Sequence, residues 1–276
     1  MKRFSRSLLI ISLAGMCSFA VHAADKTHSQ MPKILQVTRE FIKPGKNGEA
    51  HMKTESMFVD AMAKAKWPTH YLAVTSLTGK MRALFLTQYD SFEAWEKDNH
   101  AVDKNKDLTA ELNNAIMADG EMLDSVDQAV LIENEEMSLR SMKDISHMRY
   151  LQISGYNVRP GHMKEWKELV KMIKDGYEKA DPTAHWGMYN LRFGGEGGTY
   201  LVLTARKSLS EFDSDFMKSS KLDEVLGEAG MKRADELAAA CIESSEHQLF
   251  AFSPRMSYAA DAWIKADPEY WTPKKN

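Results

Sequence analysis

Two histidines are the first residues in this sequence that could do chemistry. His70 and His185 each precede an aromatic residue, Tyr71 and Trp186, at the start of a stretch with strand-like alternation. An imidazole so placed suits a metal ligand or a general base. The familiar frameworks around such a residue are missing: the sequence has no HExxH pair, no zinc-ligand spacing, no GxSxG and no CxxC. The run Gly194-Gly195-Glu196-Gly197-Gly198 joins two strands instead of opening a helix, so it reads as a flexible hairpin and not a phosphate cradle. His51 reads as a surface residue of the first helix, matched in the second half by Lys167. His28, His100, His147, His162 and His247 read as loop or boundary residues. His70 and His185 are therefore the catalytic candidates, and no metal set is assigned.

A repeated unit must position them. Ile34-Leu35-Gln36-Val37, followed by Ile42-Lys43-Pro44-Gly45, matches Tyr150-Leu151-Gln152-Ile153, followed by Val158-Arg159-Pro160-Gly161, 116 positions on. His70-Tyr71 matches His185-Trp186 at 115, and Leu86-Thr87 matches Leu203-Thr204 at 117. Such drift at loops is what duplication with small insertions leaves, and the unit is far longer than a solenoid repeat. Each copy reads strand, helix, strand, strand, helix, strand. Period-two alternation marks strands over 34–42, 70–77, 82–89 and 128–133, then 185–193, 199–206 and 247–252. Met57, Phe58, Ala61, Met62 and Ala65 form one helical stripe, and Trp166, Leu169, Val170, Ile173 and Tyr177 another. Longer helices are expected over 104–123 and 221–243, and Ser208-Leu209-Ser210-Glu211 has the form of a capping box. The expected organisation is a signal peptide over 1–23, units over 34–134 and 149–252, a linker over 135–148 and a tail over 253–276.

The βαββαβ order is the ferredoxin-like pattern. With strands ending in Lys/Arg-Pro-Gly, an amphipathic helix, a hairpin and an aromatic-bearing helix after Ser, the two copies resemble the dimeric α/β-barrel superfamily. That group includes antibiotic-biosynthesis-type monooxygenases, NIPSNAP and EthD-like proteins and the haem-binding chlorite-dismutase group. The resemblance implies an α+β fold in which two tandem ferredoxin-like units form one pseudo-dimeric α/β barrel. One chain would then close the barrel as a monomer, with further dimerisation left open. It implies no bound cofactor, with haem the one exception that a relative would suggest.

If helices cover the aliphatic face of each sheet, the opposite face lines the barrel. That sorting assigns a ligand-binding interior to Gln36, Glu40, Tyr71, Phe85, Tyr89, Gln152, Tyr156, Trp186, Asn190, Arg192 and Arg206. Arg192 and Arg206 are expected to face an anionic aromatic ligand, one of them pairing with Glu40.

Composition sets the remaining bounds. The chain has 276 residues, a formal charge of −3 and 43% apolar residues, enough for a sizeable core. Lys2, Arg3 and Arg6 precede an apolar run ending at Val21-His22-Ala23, the form of a secretory signal cleaved after Ala23, which places the protein in the periplasm or outside the cell. Cleavage removes three positive charges and no acid, and the acidic balance argues against nucleic acid as a partner. Cys17 leaves with the signal, so Cys241 has no disulfide partner and reads as a small buried hydrophobe. The expected function is small-molecule binding in a polar, aromatic barrel pocket. The alternative is a monooxygenase-type enzyme, cofactor-independent or haem-dependent, acting on an aromatic or quinone-like substrate.

Overall fold

Alternating side chains at 34–42 build β1 (Ile34–Ile42), in which Leu35 and Val37 are buried on one face and Ile34 and Glu40 on the other. The computed structural model describes residues 33–46, 48–141 and 144–272, apart from the side chains of 216–220. The expected signal segment lies outside the described residues. After β1 come α1 (Glu49–Ala65), β2 (Tyr71–Ser76), β3 (Arg82–Tyr89), α2 (Phe92–Lys104), α3 (Lys106–Gly120) and β4 (Leu123–Glu133). A like order, with one long helix in place of α2 and α3, follows in β5 (Tyr150–Val158), α4 (Met163–Ala180), β6 (Gly187–Phe193), β7 (Thr199–Arg206), α5 (Ser210–Cys241) and β8 (Ile242–Phe252). Two short helices, α6 (Asp261–Ala266) and α7 (Pro268–Trp271), end the described chain.

The eight strands close into one antiparallel barrel in the order β1-β3-β2-β8-β5-β7-β6-β4. In each half the first strand lies between the third and the last, and the halves join where β2 pairs with β8 and β4 with β6. A single chain therefore closes the barrel, and no sheet edge is left unpaired. β4 and β8 begin earlier than the apolar alternation suggests. After Leu123 and Ile242 their next five residues are exposed and mostly polar, and backbone pairing with β1 and β5 makes them strands.

Two glycines set the packing. Gly194 opens the β6–β7 hairpin at φ +83°, and a Cβ there would sit 2.0 Å from the Gln128 carbonyl oxygen, so no other residue fits. Gly176 lets α4 approach α5, since a Cβ would meet Leu222 at 2.7 Å. Helix α5 is two helical stretches joined at Gly227, whose φ of 65° breaks the helical run. The expected capping box does not form. Leu209 occupies the cap without a side-chain bond, and the Glu211 carboxylate instead accepts from the Lys207 backbone N–H at 3.2 Å. The terminal helices pack on the barrel: Trp271 is buried against Phe252 and donates its indole N–H to the Ser146 carbonyl at 2.7 Å.

Candidate functional site

The barrel interior is aliphatic, which inverts the expected sorting of faces. Leu35, Val37, Leu72, Leu86, Leu131, Leu151 and Phe250 from both halves form one buried cluster inside the closed sheet. Sequence alternation says which residues share a face but not which face the sheet closes around. The side chains that line the inside of this eight-stranded barrel are apolar, and several of them, Leu35, Leu72, Leu86 and Leu151, also border a space at one end of it. The polar and aromatic face looks outward, into the layer between sheet and helices. Gln36, Glu40, Tyr71, Phe85, Tyr89, Gln152, Tyr156, Trp186, Asn190 and Arg206 belong to that outer face. They fall into two separate layers, one in each half.

Under α4 and α5 this layer holds a cavity of about 820 Å³, reached by Gln152, Tyr156, Trp186 and Arg206. The α4 stripe supplies Trp166, 2% exposed, whose ring lies 5.5 Å from Tyr156 and 5.1 Å from Tyr200. Tyr177 meets Trp186 edge-on at 5.7 Å. Burial raises the Tyr156 phenol above its ordinary value. The polar end is built around Arg206, which donates to Gln152 Oε1 at 3.2 Å, pairs with Asp215 and stacks over Phe212. Two buried donors of this wall, Trp166 Nε1 and Arg206 Nε, have no hydrogen-bond partner. A buried donor without a partner is costly unless a ligand or water satisfies it.

The same layer under α1 and α3 is ionic. His51 is 2% exposed, so the surface reading of this residue is wrong. Its Nε2 lies 3.1 Å from Glu40 Oε2, 3.5 Å from Asp119 Oδ1 and 3.7 Å from Glu55 Oε1. Thr54 holds Asp119 by donating to its Oδ1 at 2.6 Å. Burial, followed by the charges of Glu40 and Asp119, pushes the Glu55 carboxyl up to about 11. Burial also raises Glu40, against the opposing hydrogen bond from His51. Tyr71 is raised well above its ordinary value by burial and then by Glu55 and Glu40. Glu55 Oε1 and the Tyr71 hydroxyl are both buried without a hydrogen bond.

Sequence reasoning missed this cluster through a one-residue slip. It carried the strand offset of 116 into the helix and matched His51 with Lys167. The buried positions match at 115, pairing His51 with Trp166, Glu55 with Val170 and Ala61 with Gly176. The signal was present in the i, i+4 spacing of His51 and Glu55 on the helix that follows the strand carrying Glu40. The expected pairing of Glu40 with an arginine is also corrected, since its partner is His51.

The remaining candidates are scattered. His70 and His185 do come together at one end of the barrel, around a space of about 1210 Å³ that Trp263 also lines. His70 stacks on Tyr258 at 4.5 Å. His185 spends both ring nitrogens on the carbonyls of Thr183 and Ala205, at 3.0 and 2.9 Å. Tyr89 donates to Asp98 at 3.0 Å, and Phe85 packs on Ala73, Ala83 and Met256. Arg192 is exposed near the end of β6, so it does not serve the layer it was assigned to. Cys241 is free and fully buried among apolar residues, as expected. The second-half cavity does not fit a haem ligated by histidine. The His185 ring on its wall is committed to backbone carbonyls, and among the described residues no other imidazole lines it.

These features define a class by fold. The chain has the fold of the dimeric α/β-barrel superfamily. A candidate monooxygenase from Fusobacterium nucleatum superposes with a TM-score of 0.52 at 12% identity, covering 80% of this chain and 93% of that one. A candidate monooxygenase from Lactobacillus acidophilus gives 0.48 at 7% identity, with 80% and 94% covered. An anthrone oxidase-like protein gives 0.49 at 12%, with 82% and 92% covered. No family model matches the chain, and no curated protein matches it in sequence. Among the described residues no helix is long and apolar enough to cross a membrane.

Proposed function

We propose that the protein is a monooxygenase-type enzyme that oxidises an aromatic or quinone-like substrate in the cavity under α4 and α5. The observation that carries this reading is the pairing of aromatic walls with two buried, unpartnered donors, Trp166 Nε1 and Arg206 Nε, at a cavity of about 820 Å³. Tyr156, Trp166 and Trp186 take the ring faces. The Arg206 guanidinium, steadied by Gln152 and Asp215, receives a phenolate or enolate oxygen and so favours the deprotonated, electron-rich form of the substrate. The likeness in fold to the Fusobacterium candidate monooxygenase supports the same reading, at the level of fold. The chain is further read as a tandem ferredoxin-like duplication exported to the periplasm, which its matched element order and charged, apolar N-terminus support. The test is oxygen uptake by the purified protein with a reduced naphthoquinone, with the product weighed by mass spectrometry. Uptake that Arg206→Leu abolishes is expected, with one atom of O₂ retained in a hydroxyquinone product and the other released as water with the two electrons and two hydrogens the reduced substrate supplies. Saturable binding of 1-naphthol without oxygen uptake from any reduced aromatic would return the protein to the small-molecule-binding reading.

A further inference from the structure

We propose that Glu40, His51, Glu55 and Asp119 bind a divalent cation of the first transition row, such as Mn²⁺ or Zn²⁺, in a closed site between β1, α1 and α3. The four ligand atoms lie within 4.8 Å of one another, and all four residues are buried. Around a metal with bonds of about 2.1 Å, neighbouring nitrogen and oxygen ligands stand about 3 Å apart. The distances from His51 Nε2 to the three carboxylates, 3.1 to 3.7 Å, need only a small contraction to reach that spacing.

Composition narrows the cation. Three carboxylate oxygens and one imidazole suit Mn²⁺, Fe²⁺ or Zn²⁺, whereas Mg²⁺ and Ca²⁺ sites are built from oxygen alone. Two further observations point to a missing partner and not to a self-satisfied salt bridge. Glu55, whose side chain is 3% exposed, holds Oε1 3.7 Å from His51 Nε2, too far for a hydrogen bond, and that oxygen makes none elsewhere. The Tyr71 hydroxyl, on the sheet face shared with Glu40, is likewise buried without a hydrogen-bond partner. Three buried carboxylates around one imidazole are short of positive charge, and a divalent ion supplies it. Thr54, bonded to Asp119, is the kind of outer support that holds a ligand in place. The site ties a strand to two helices, so its occupant is a resident ion of the fold and does not depend on the oxidation chemistry proposed for the other half.

The test uses the full chain, stripped with EDTA and titrated with MnCl₂ and with ZnCl₂. Calorimetry should find one ion per chain, and the melting temperature should rise on the order of 5 °C at saturation. His51→Ala and Glu55→Gln should each weaken binding at least tenfold. Should His51→Ala fail to fold, Glu55→Gln still decides the matter, because the amide keeps the shape of the acid and removes a ligand charge. Absence of saturable one-to-one binding by either metal, or equal affinity in the wild type and Glu55→Gln, would overturn the site.

Discussion

Where α1 turns His51 and Glu55 toward its sheet, α4 turns Trp166 and Val170. The strand beneath offers Glu40 in the first half and Tyr156 in the second, and the following long helices offer Asp119 in one and Ala234 with Leu237 in the other. Backbones with a like element order and the same register thus enclose an ionic cluster on one side and an aromatic cavity on the other. The barrel interior cannot tolerate such divergence, because one aliphatic cluster spans all eight strands. The sheet-to-helix layers are where the two halves can differ without opening the barrel, and chemistry has room there.

The contrast is broken most forcefully from the aromatic side. Trp166→Ala removes the ring that packs on both Tyr156 and Tyr200, and should cost about 3–5 kcal/mol in chemical denaturation. A loss under ~1 kcal/mol would mean that the cavity wall is not part of the core. Val170→Glu places in the second half the acid that the first half carries at the matching site. Arg206 at that cavity is already paired with Asp215 and the His185 ring nitrogens lie against backbone carbonyls, so the buried acid should cost about 3–4 kcal/mol at pH 7. Glu55→Val, the reverse exchange, should leave the metal-free protein unchanged or more stable, because it removes a buried carboxyl that must hold its proton at neutral pH to escape burial and repulsion.

Acidity separates the halves as well. A carboxyl held near 11 when folded and near 4.5 when unfolded keeps its proton in the native state after the unfolded chain has lost it. The contribution of this group to the stability of the EDTA-stripped protein is therefore full at low pH and should fall as pH rises from about 5 to 9, by up to ~1.4 kcal/mol per unit. Glu55→Gln should flatten that slope, and Val170→Ala, in the half without the acid, should leave it in place. The smallest effect belongs to Arg192→Ala: this residue is exposed, and its loss should shift stability and 1-naphthol binding by under ~0.5 kcal/mol.

The architecture was largely legible because alternation and helical spacing are local. β1, β3 and β7 fall on the expected residues, and α4 buries Trp166, Leu169 and Val170 from its expected stripe. The site was only half legible. Gln152, Tyr156, Trp186 and Arg206 do share one cavity, yet on the opposite side of the sheet from the one expected. Closure is a property of all eight strands together, and no single strand pattern carries it. His51 was passed over because a one-residue change between strand and helix carries a buried side chain to the surface in any alignment that ignores it. His70 and His185 match in sequence and converge at the barrel end, but His185 serves the backbone.

The most direct test of two unlike layers on one plan is anomalous diffraction from a single crystal grown with MnCl₂ and 6-bromo-2-naphthol. The account predicts a manganese peak among Glu40, His51, Glu55 and Asp119, and a bromine peak between β5–β8 and α4 and α5, beside Trp166 and Arg206. A bromine peak inside the barrel, or manganese absent from the first layer, would contradict it.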